Sequence, residues 1–186
     1  METLTIGKNG SSLRSIASLE FENKRVVRLT GEINAELAER VIIELEHLDS
    51  RGSDEITLYI NSPGGSVSSG FAIYDCLRHI KSPVKLVAIG ECMSMAAILL
   101  ASGKQGKRFA TSNCEIMIHE PLTATSGSAS HLKVQVYRIT RMKTKIVALL
   151  SEWTNQDKEY LSHLLEKDTF MTSEEALEFG LIDGIV

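Results

Sequence analysis

The sequence predicts an α/β domain built on a parallel sheet with crossover helices, and three observations predict it. From Val26 to Ser102, strand-like and helix-like patterns alternate three times with short connections, as parallel strands joined by helices require. The third strand-like run, Val84–Ile89, is mostly apolar, as in a strand buried on both faces. The length of 186 residues fits one domain at roughly 150 residues per domain.

Residues 1–24 contain Gly7, Gly10 and four serines without a sustained period, and they read as a flexible N-terminal arm. A single domain is expected over residues 25–186. Val26–Thr30 is a short β-branched strand ending at Gly31. Asn34 can cap the following helix, with Glu36 and Glu39 in its first turns favoured by the helix dipole, and Leu37, Val41, Leu45 and Leu48 recur at helical spacing. Ile56–Ile60 is a second strand, closed by the turn residues Asn61–Gly65. Ser69–Lys81 is the second helix, with Ile73, Leu77 and Ile80 on one face, and Ser82-Pro83 breaks it. Val84–Ile89 is the third strand. A tight turn over Gly90–Met93 leads to the apolar helix Met95–Ser102, ended by Gly103. Strand Glu115–His119 and a Ser/Thr/Gly loop, Thr123–Ser130, precede a long helix over 131–153, about 35 Å in length. Its apolar positions run its whole length, which a small core does not need. The stripe Ile139, Met142, Ile146 and Leu149 is therefore expected to pack against another subunit. A helix over 157–166 and a last one, opened by the capping box Thr172–Glu175 and ended by Gly180, complete the chain.

Composition narrows the function. Twenty Lys+Arg against 24 Asp+Glu give a net charge of −4, which argues against nucleic acid or an anionic membrane as the main partner. The longest near-continuous apolar stretch, Met93–Ala101, is far short of the ~20 residues of a membrane span. Residues 1–20 hold no apolar stretch followed by a small-residue cleavage site, so no secretory leader is expected. Cys76, Cys92 and Cys114 are an odd set without a C-x-x-C pair. They suit a reducing, cytoplasmic setting and small buried side chains. No phosphate loop or metal-ligand spacing is present, so neither metal nor cofactor is expected.

Two sharp turns, Ser62–Ser66 and Gly90–Met95, follow parallel strands, and ligand crevices in open α/β sheets lie at the carboxyl ends of strands. Ser94 sits between its turn and the next helix, where free amides face any negative charge that forms. The amide of Met95 is one candidate oxyanion donor, and Gly65 can supply another by letting backbone approach a carbonyl closely. The structural alternative is a small serine for tight packing and glycines that merely turn the chain. His47, His79, His131 and His163 fall among polar helical neighbours, whereas His119 ends the apolar strand and precedes Glu120-Pro121, which suits a base at a crevice. For the carboxylate that would orient it, Asp168 is a candidate, with Asp75, Asp157 and Asp183 left open. The G-x-S-x-G elbow of α/β-hydrolases is absent.

These residues resemble a known family, the proteolytic subunit of the Clp protease (ClpP). The matching segments include Tyr59-Ile60-Asn61-Ser62-Pro63-Gly64-Gly65, Gly90 through Ser94-Met95, Gly106-Lys107-Arg108-Phe109, Met117-Ile118-His119-Glu120-Pro121, Asp168-Thr169-Phe170 and Gly180-Leu181-Ile182-Asp183. They stand in the family's order from about Val26 to Ile185. The resemblance implies a crotonase-like α/β fold of repeated β-β-α units with a projecting "handle" helix, here over 131–153. It implies a serine endopeptidase with Ser94 as nucleophile, His119 as general base and Asp168 as third triad member, roles that define a triad whatever their chain order. The implied oxyanion amides are those of Gly65 and Met95. The stretch implied to bind substrate as a strand is Leu122, Thr123, Ala124 and Thr125. Implied partners are further copies of the chain, in two stacked heptameric rings, an AAA+ Clp ATPase that unfolds and delivers polypeptides, and those polypeptides as substrates. ATP would be used by the ATPase, with no cofactor in this chain.

The sequence departs from the family pattern in several places. Leu122–Gly127 carries fewer glycines than usual, Glu120 stands in place of the usual glutamine, Lys167 in place of the usual arginine, and residues 1–24 match the family's pore-lining arm poorly. A catalytically silent structural or regulatory subunit of a mixed ring is the competing reading. Ser94, His119 and Asp168 together argue against it. They argue equally against an acyl-CoA enzyme of the crotonase fold, which needs no serine–histidine pair, and against a signal-peptide peptidase relative, which uses a serine–lysine dyad.

Overall fold

The computed structural model describes residues 2–7 and 10–186. At the N-terminus, β1 (Glu2–Gly7) and β2 (Gly10–Ser15) pair antiparallel and lead into α1 (Ile16–Lys24). The sequence assigned no regular element here, and the hairpin and helix correct that. Leu4 and Ile6 alternate in β1, but β2 has Leu13 alone, so the two strands carry no sustained apolar period.

The main sheet contains β3 (Val26–Thr30), β4 (Ile56–Ser62), β5 (Val84–Met93), β6 (Arg108–Ala110) and β9 (Gly184–Ile185), in that order and all parallel. Helix α2 (Ala35–Arg51) joins β3 to β4 and α3 (Val67–His79) joins β4 to β5. Asn34 caps α2 by accepting from the Leu37 amide at 2.8 Å, and Val41, Leu45 and Leu48 face the core, as the spacing predicted. Helix α3 begins two residues earlier than expected because Ser66, rather than a later residue, provides the cap. It stops before Ser82-Pro83, where the residue preceding proline is forced out of the helical region.

Strand β5 outruns the sequence expectation by four residues. Its first half pairs with β6 (Leu86↔Arg108) and its last residues with β7 (Glu115–Ile118), through Cys92↔Ile116 and Met93↔Met117. The switch of neighbour occurs around Gly90, at φ +67°. The Asn61 side chain supports the bend by accepting from the Glu91 amide. The expected turn over Gly90–Met93 is therefore a kinked strand whose ladder resumes on a different partner. Strand β8 (Thr169–Met171) then adds antiparallel to β7. Strands β6, β8 and β9 have three, three and two residues, too few to show an alternation.

The core sits around α4 (Met95–Ala101), in which every residue is buried. A helix that is apolar all round needs neighbours on every side. Gly70 lets α3 approach, since a Cβ there would fall 2.3 Å from Met95 Cγ. All three cysteines are free and buried. Burial pushes the Cys76 and Cys114 thiols up to about 11, and that of Cys92 well above its ordinary value, so they remain protonated packing groups. Helix α5 (Ala129–Thr154) is capped by Ser128 and ended by Asn155 in the left-handed region. Its second half buries Ile146, Val147 and Leu150 in the chain's own core, whereas Val134, Val136 and Tyr137 in the first half are exposed. The expected intersubunit stripe is corrected accordingly: Ile146 is an internal core residue, and the uncovered apolar surface lies nearer the N-terminal end. Helices α6 (Lys158–Leu164) and α7 (Ser173–Phe179) follow, the latter with the expected capping box.

One buried ion pair ties the C-terminal elements together. Arg108 bonds bidentately to Asp183 at 2.5 and 3.0 Å and donates to the carbonyls of Trp153 and Gly180, each at 3.0 Å. It thereby links β6 to the ends of α5 and α7. Burial disfavours the ionised Asp183 carboxyl, but hydrogen bonds from the Arg108 side chain and amide and from the Gly106 amide outweigh it and hold its pKa below the ordinary value. Removing one partner of such a pair leaves a buried charge uncompensated, so Asp183→Asn should cost ~3–5 kcal/mol at neutral pH. Because the folded pKa lies below the unfolded one near ~3.9, the Asp183 contribution is complete above that value and is lost as pH falls through the lowered one. Denaturant titrations from pH 7 downward should show an acid-dependent loss below about pH 4 that Asp183→Asn lacks. Equal stability of variant and parent at pH 7 would refute this role for the pair.

Candidate active site

Ser94 follows the last residue of β5 with φ 53° and ψ −123°, backbone angles that suit glycine and that cost a serine ~1–3 kcal/mol. Its amide donates to the Met117 carbonyl at 2.8 Å, and its carbonyl accepts from the Ile98 amide in α4. Strand β7 on one side and α4 on the other thus hold the strained residue. Space is made by Gly64, where a Cβ would fall 2.7 Å from Ser94 Cβ and 2.6 Å from the Met93 carbonyl oxygen. Gly64 itself is at φ +94° and its amide donates to the buried Ser62 hydroxyl at 3.0 Å.

His119 and Asp168 reach Ser94 through strand register. Strands β5 and β7 run parallel with Met93 beside Met117, and β7 and β8 run antiparallel with Ile118 opposite Thr169. The next step along β7 is His119, and the step back along β8 is Asp168. His119 Nε2 lies 2.8 Å from Ser94 Oγ, and its Nδ1 lies 3.1 Å from Asp168 Oδ1. The His119 side chain is 14% exposed and that of Asp168 60%, so the imidazole is mostly enclosed while its carboxylate borders solvent. The other three candidate aspartates have different surroundings. Asp183 binds Arg108, Asp157 caps α6, and Asp75 lines a groove with Phe71 and Arg141.

The two amides singled out from the sequence lie at this turn. Met95 opens α4, so its amide belongs to the first turn, whose N–H groups have no partner within the helix. Gly65 lies opposite Ile33, but the bonds there run from Ile33 N–H to the Gly64 carbonyl and from Ser66 N–H to the Ile33 carbonyl, both at 2.7 Å. The Gly65 amide is left outside that ladder. The Met95 amide nitrogen lies 3.0 Å from where a Cβ on Gly64 would stand, which puts the two turns in contact. Beside Gly65 a cleft is lined by Val67, Leu122, Thr123, Ile139 and Met142, among others. Of the stretch expected to hold substrate, Leu122 and Thr123 therefore border the site. Ala124 and Thr125 lie farther along an exposed loop, where the Thr125 hydroxyl stands 3.4 Å from His131 Nε2.

Sequence reasoning missed the support around the histidine. The Glu120 amide donates to the Leu165 carbonyl at 2.7 Å, and Lys143 pairs with the Glu120 carboxylate at 2.7 Å. A charged residue directly after the candidate base was the available signal, but its partner is distant in sequence. Among the described residues, no three His, Cys, Asp or Glu side chains are grouped as a metal site, and no helix is long and apolar enough to cross a membrane.

A hydroxyl, an imidazole and a carboxylate in hydrogen-bonded line, beside free amides, can activate the hydroxyl for attack on a carbonyl and hold the resulting oxyanion. Comparison with known proteins bears on which carbonyl. The Clp protease family profile matches residues 9–186. The chain belongs to the Clp protease family. An ATP-dependent Clp protease proteolytic subunit from Borreliella afzelii (strain PKo) is 45% identical over 164 residues, covering 88% of this chain and 83% of that protein. An ATP-dependent Clp protease proteolytic subunit 1 from Borreliella burgdorferi is likewise 45% identical over 164 residues, covering 88% and 84%.

In this Clp protease family member, Gly64→Ala tests the packing argument. The added methyl cannot coexist with Met93 and Ser94 as they stand, so Ser94 must move. A displacement of about 1 Å is enough to slow reaction ~100-fold. Fluorophosphonate labelling of Ser94 should slow by at least that factor while circular dichroism still reports the folded chain. A parental labelling rate would show that the turn is not a rigid support.

Proposed function

We propose that this chain is the proteolytic subunit of an ATP-dependent Clp protease, a serine endopeptidase acting on unfolded polypeptides. The observation that carries the reading is the Ser94–His119–Asp168 line, at 2.8 and 3.1 Å, with Ser94 and His119 just past the carboxyl ends of β5 and β7 and Asp168 just before the amino end of β8. Membership of the Clp protease family and the names of its relatives support the same reading.

The residues divide the reaction as follows. His119 Nε2 takes the Ser94 hydroxyl proton as Oγ attacks the scissile carbonyl, and Asp168 holds Nδ1–H, fixing the ring's tautomer and balancing the imidazolium. The amides of Gly65 and Met95 donate to the oxyanion of the tetrahedral intermediate. Collapse breaks the C–N bond, and the amine leaves with the proton from His119. A water molecule then gives a proton to His119 and attacks the acyl-Ser94 ester, releasing the carboxylic acid and restoring the serine. The cleft beside Gly65, with Leu122, Ile139 and Met142 in its wall, suits an apolar side chain next to the cleaved bond.

The same proposal includes a crotonase-like arrangement, with α5 as the handle between two stacked heptameric rings of this chain. Exposed Val134, Val136 and Tyr137 supply an apolar surface for that contact. An AAA+ ATPase would deliver substrate and use the ATP, with no cofactor in this chain, and the assembly would be cytoplasmic, in keeping with three unpaired buried thiols.

Fluorophosphonate labelling followed by peptide mapping tests the chemistry and should give one adduct, on Ser94. Ser94→Ala and His119→Ala should each abolish peptide hydrolysis to a similar extent, because triad members act as a unit. Asp168→Asn should retain more activity than either, though orders of magnitude below the parent. Turnover by Ser94→Ala comparable to the parent would sink the assignment.

Enclosure is tested with a folded, tagged fluorescent substrate. Unfolding a domain takes ~5–15 kcal/mol, and this chain has no phosphate loop with which to draw on ATP. The pure protein should cleave short peptides but leave the folded substrate intact until a cognate AAA+ unfoldase and ATP are added. Rapid digestion without them would refute the chamber.

A further inference from the structure

We infer that Lys143 is a positioning residue for the Ser94–His119–Asp168 line, an inference that rests on the serine-peptidase reading. Its ammonium lies 2.7 Å from the Glu120 carboxylate and 3.8 Å from that of Glu166. Glu120 directly follows His119, and Glu166 stands two residues before Asp168. One cation on α5 therefore holds both segments that carry the base and its carboxylate. Those segments also meet through the backbone, where the Glu120 amide donates to the Leu165 carbonyl at 2.7 Å, and Lys143 sits over that join.

The need for such a clamp follows from the exposure of Asp168. Among the described residues, its side chain hydrogen-bonds only to His119, and it is 60% exposed. Its place depends on the turn between α6 and β8. That turn carries Glu166, whose carboxylate is 3.9 Å from His163 Nδ1 as well as near Lys143. Lys143 is 23% exposed and its partners Glu120 and Glu166 are 38% and 55% exposed, so the 2.7 Å pair with Glu120 is the better shielded of the two. Without the ammonium, two carboxylates would face each other across the join. Like charges repel the turn from β7, and the 3.1 Å contact between His119 and Asp168 opens.

The test uses the full, assembled protein with Lys143→Met, Lys143→Arg and the pair Glu120→Gln/Glu166→Gln, each alone and the last combined with Lys143→Met. The readouts are the fluorophosphonate labelling rate of Ser94, kcat and KM for a short fluorogenic peptide, and size-exclusion elution. Lys143→Met should label ~10–100-fold more slowly, the loss expected of a small misplacement, with kcat falling in proportion and KM nearly unchanged. Lys143→Arg, which keeps the cation, should restore most of the rate. In the double-glutamine background, Lys143→Met should cost little more, because the charges that it balances are gone. A parental labelling rate for Lys143→Met, an arginine variant as slow as the methionine one, or additive losses would each overturn the inference. Should Lys143→Met fail to assemble, its combination with the double-glutamine pair decides: assembly and labelling at the double-glutamine rate support the clamp, and failure to assemble there as well refutes it. Absence of any Ser94 adduct in the parent is a different result, which defeats the peptidase reading itself.

Discussion

Strand β7 is hydrogen-bonded along both edges, parallel to β5 and antiparallel to β8, and the arrangement of the site depends on those two registers. A side chain in a strand alternates between faces, so a slip of one residue would turn His119 to the opposite side. With Met93 beside Met117 and Ile118 opposite Thr169, Ser94, His119 and Asp168 become the first positions outside the ends of three neighbouring strands. The Ser94 amide bond to Met117 and the Glu120 amide bond to Leu165 continue the ladder into the loops. The imidazole is thus located by backbone pairing before any side-chain contact is considered.

Backbone strain at Ser94 is tolerated because the surroundings leave it no alternative. Helix α4 is wholly buried, and its first turn begins at the strained residue. Relaxing Ser94 would shift a helix in contact with α3, β5 and β7. Each large side chain in such a core contributes ~1.5–3 kcal/mol by burial, so Met95, Ile98, Leu99 and Leu100 of α4 together outweigh the ~1–3 kcal/mol of one unfavourable φ/ψ pair. Gly64 and Gly70 contribute by absence, since any side chain at either would push against Ser94 or Met95. The rigidity that aims the hydroxyl is the rigidity of the core.

Helix α5 has two physical characters along one continuous length. Its C-terminal half is a core helix, with Ile146, Val147 and Leu150 buried and its last turn fastened by Arg108 through the Trp153 carbonyl. Its N-terminal half leaves Val134, Val136 and Tyr137 exposed, and Lys143 lies between the halves, bonded to the segments behind the site. Helix, sheet end and reactive line are therefore mechanically joined.

The alternation of strands and helices was legible in the order of the residues. Caps at Asn34 and Thr172, apolar spacing on α2 and β-branched runs in β3 and β4 are local preferences that act over a few residues. The same local chemistry marked Ser94, Gly65, Met95 and His119, because a turn between strand and helix and a polar residue ending an apolar strand are visible in short windows. Family resemblance singled out Asp168, which local pattern left level with Asp75, Asp157 and Asp183. Which of the four lies beside His119 depends on the tertiary fold, through a three-residue strand too short to show a period. The tertiary fold also decided that β5 continues past Gly90 onto a new neighbour, and that Ile146 faces the chain's own core. In each case the deciding interaction joins residues far apart in sequence: a ladder bond, a cross-strand register or an ion pair such as Arg108–Asp183. Such partners are selected by packing of the whole chain, and no short window of sequence contains both halves.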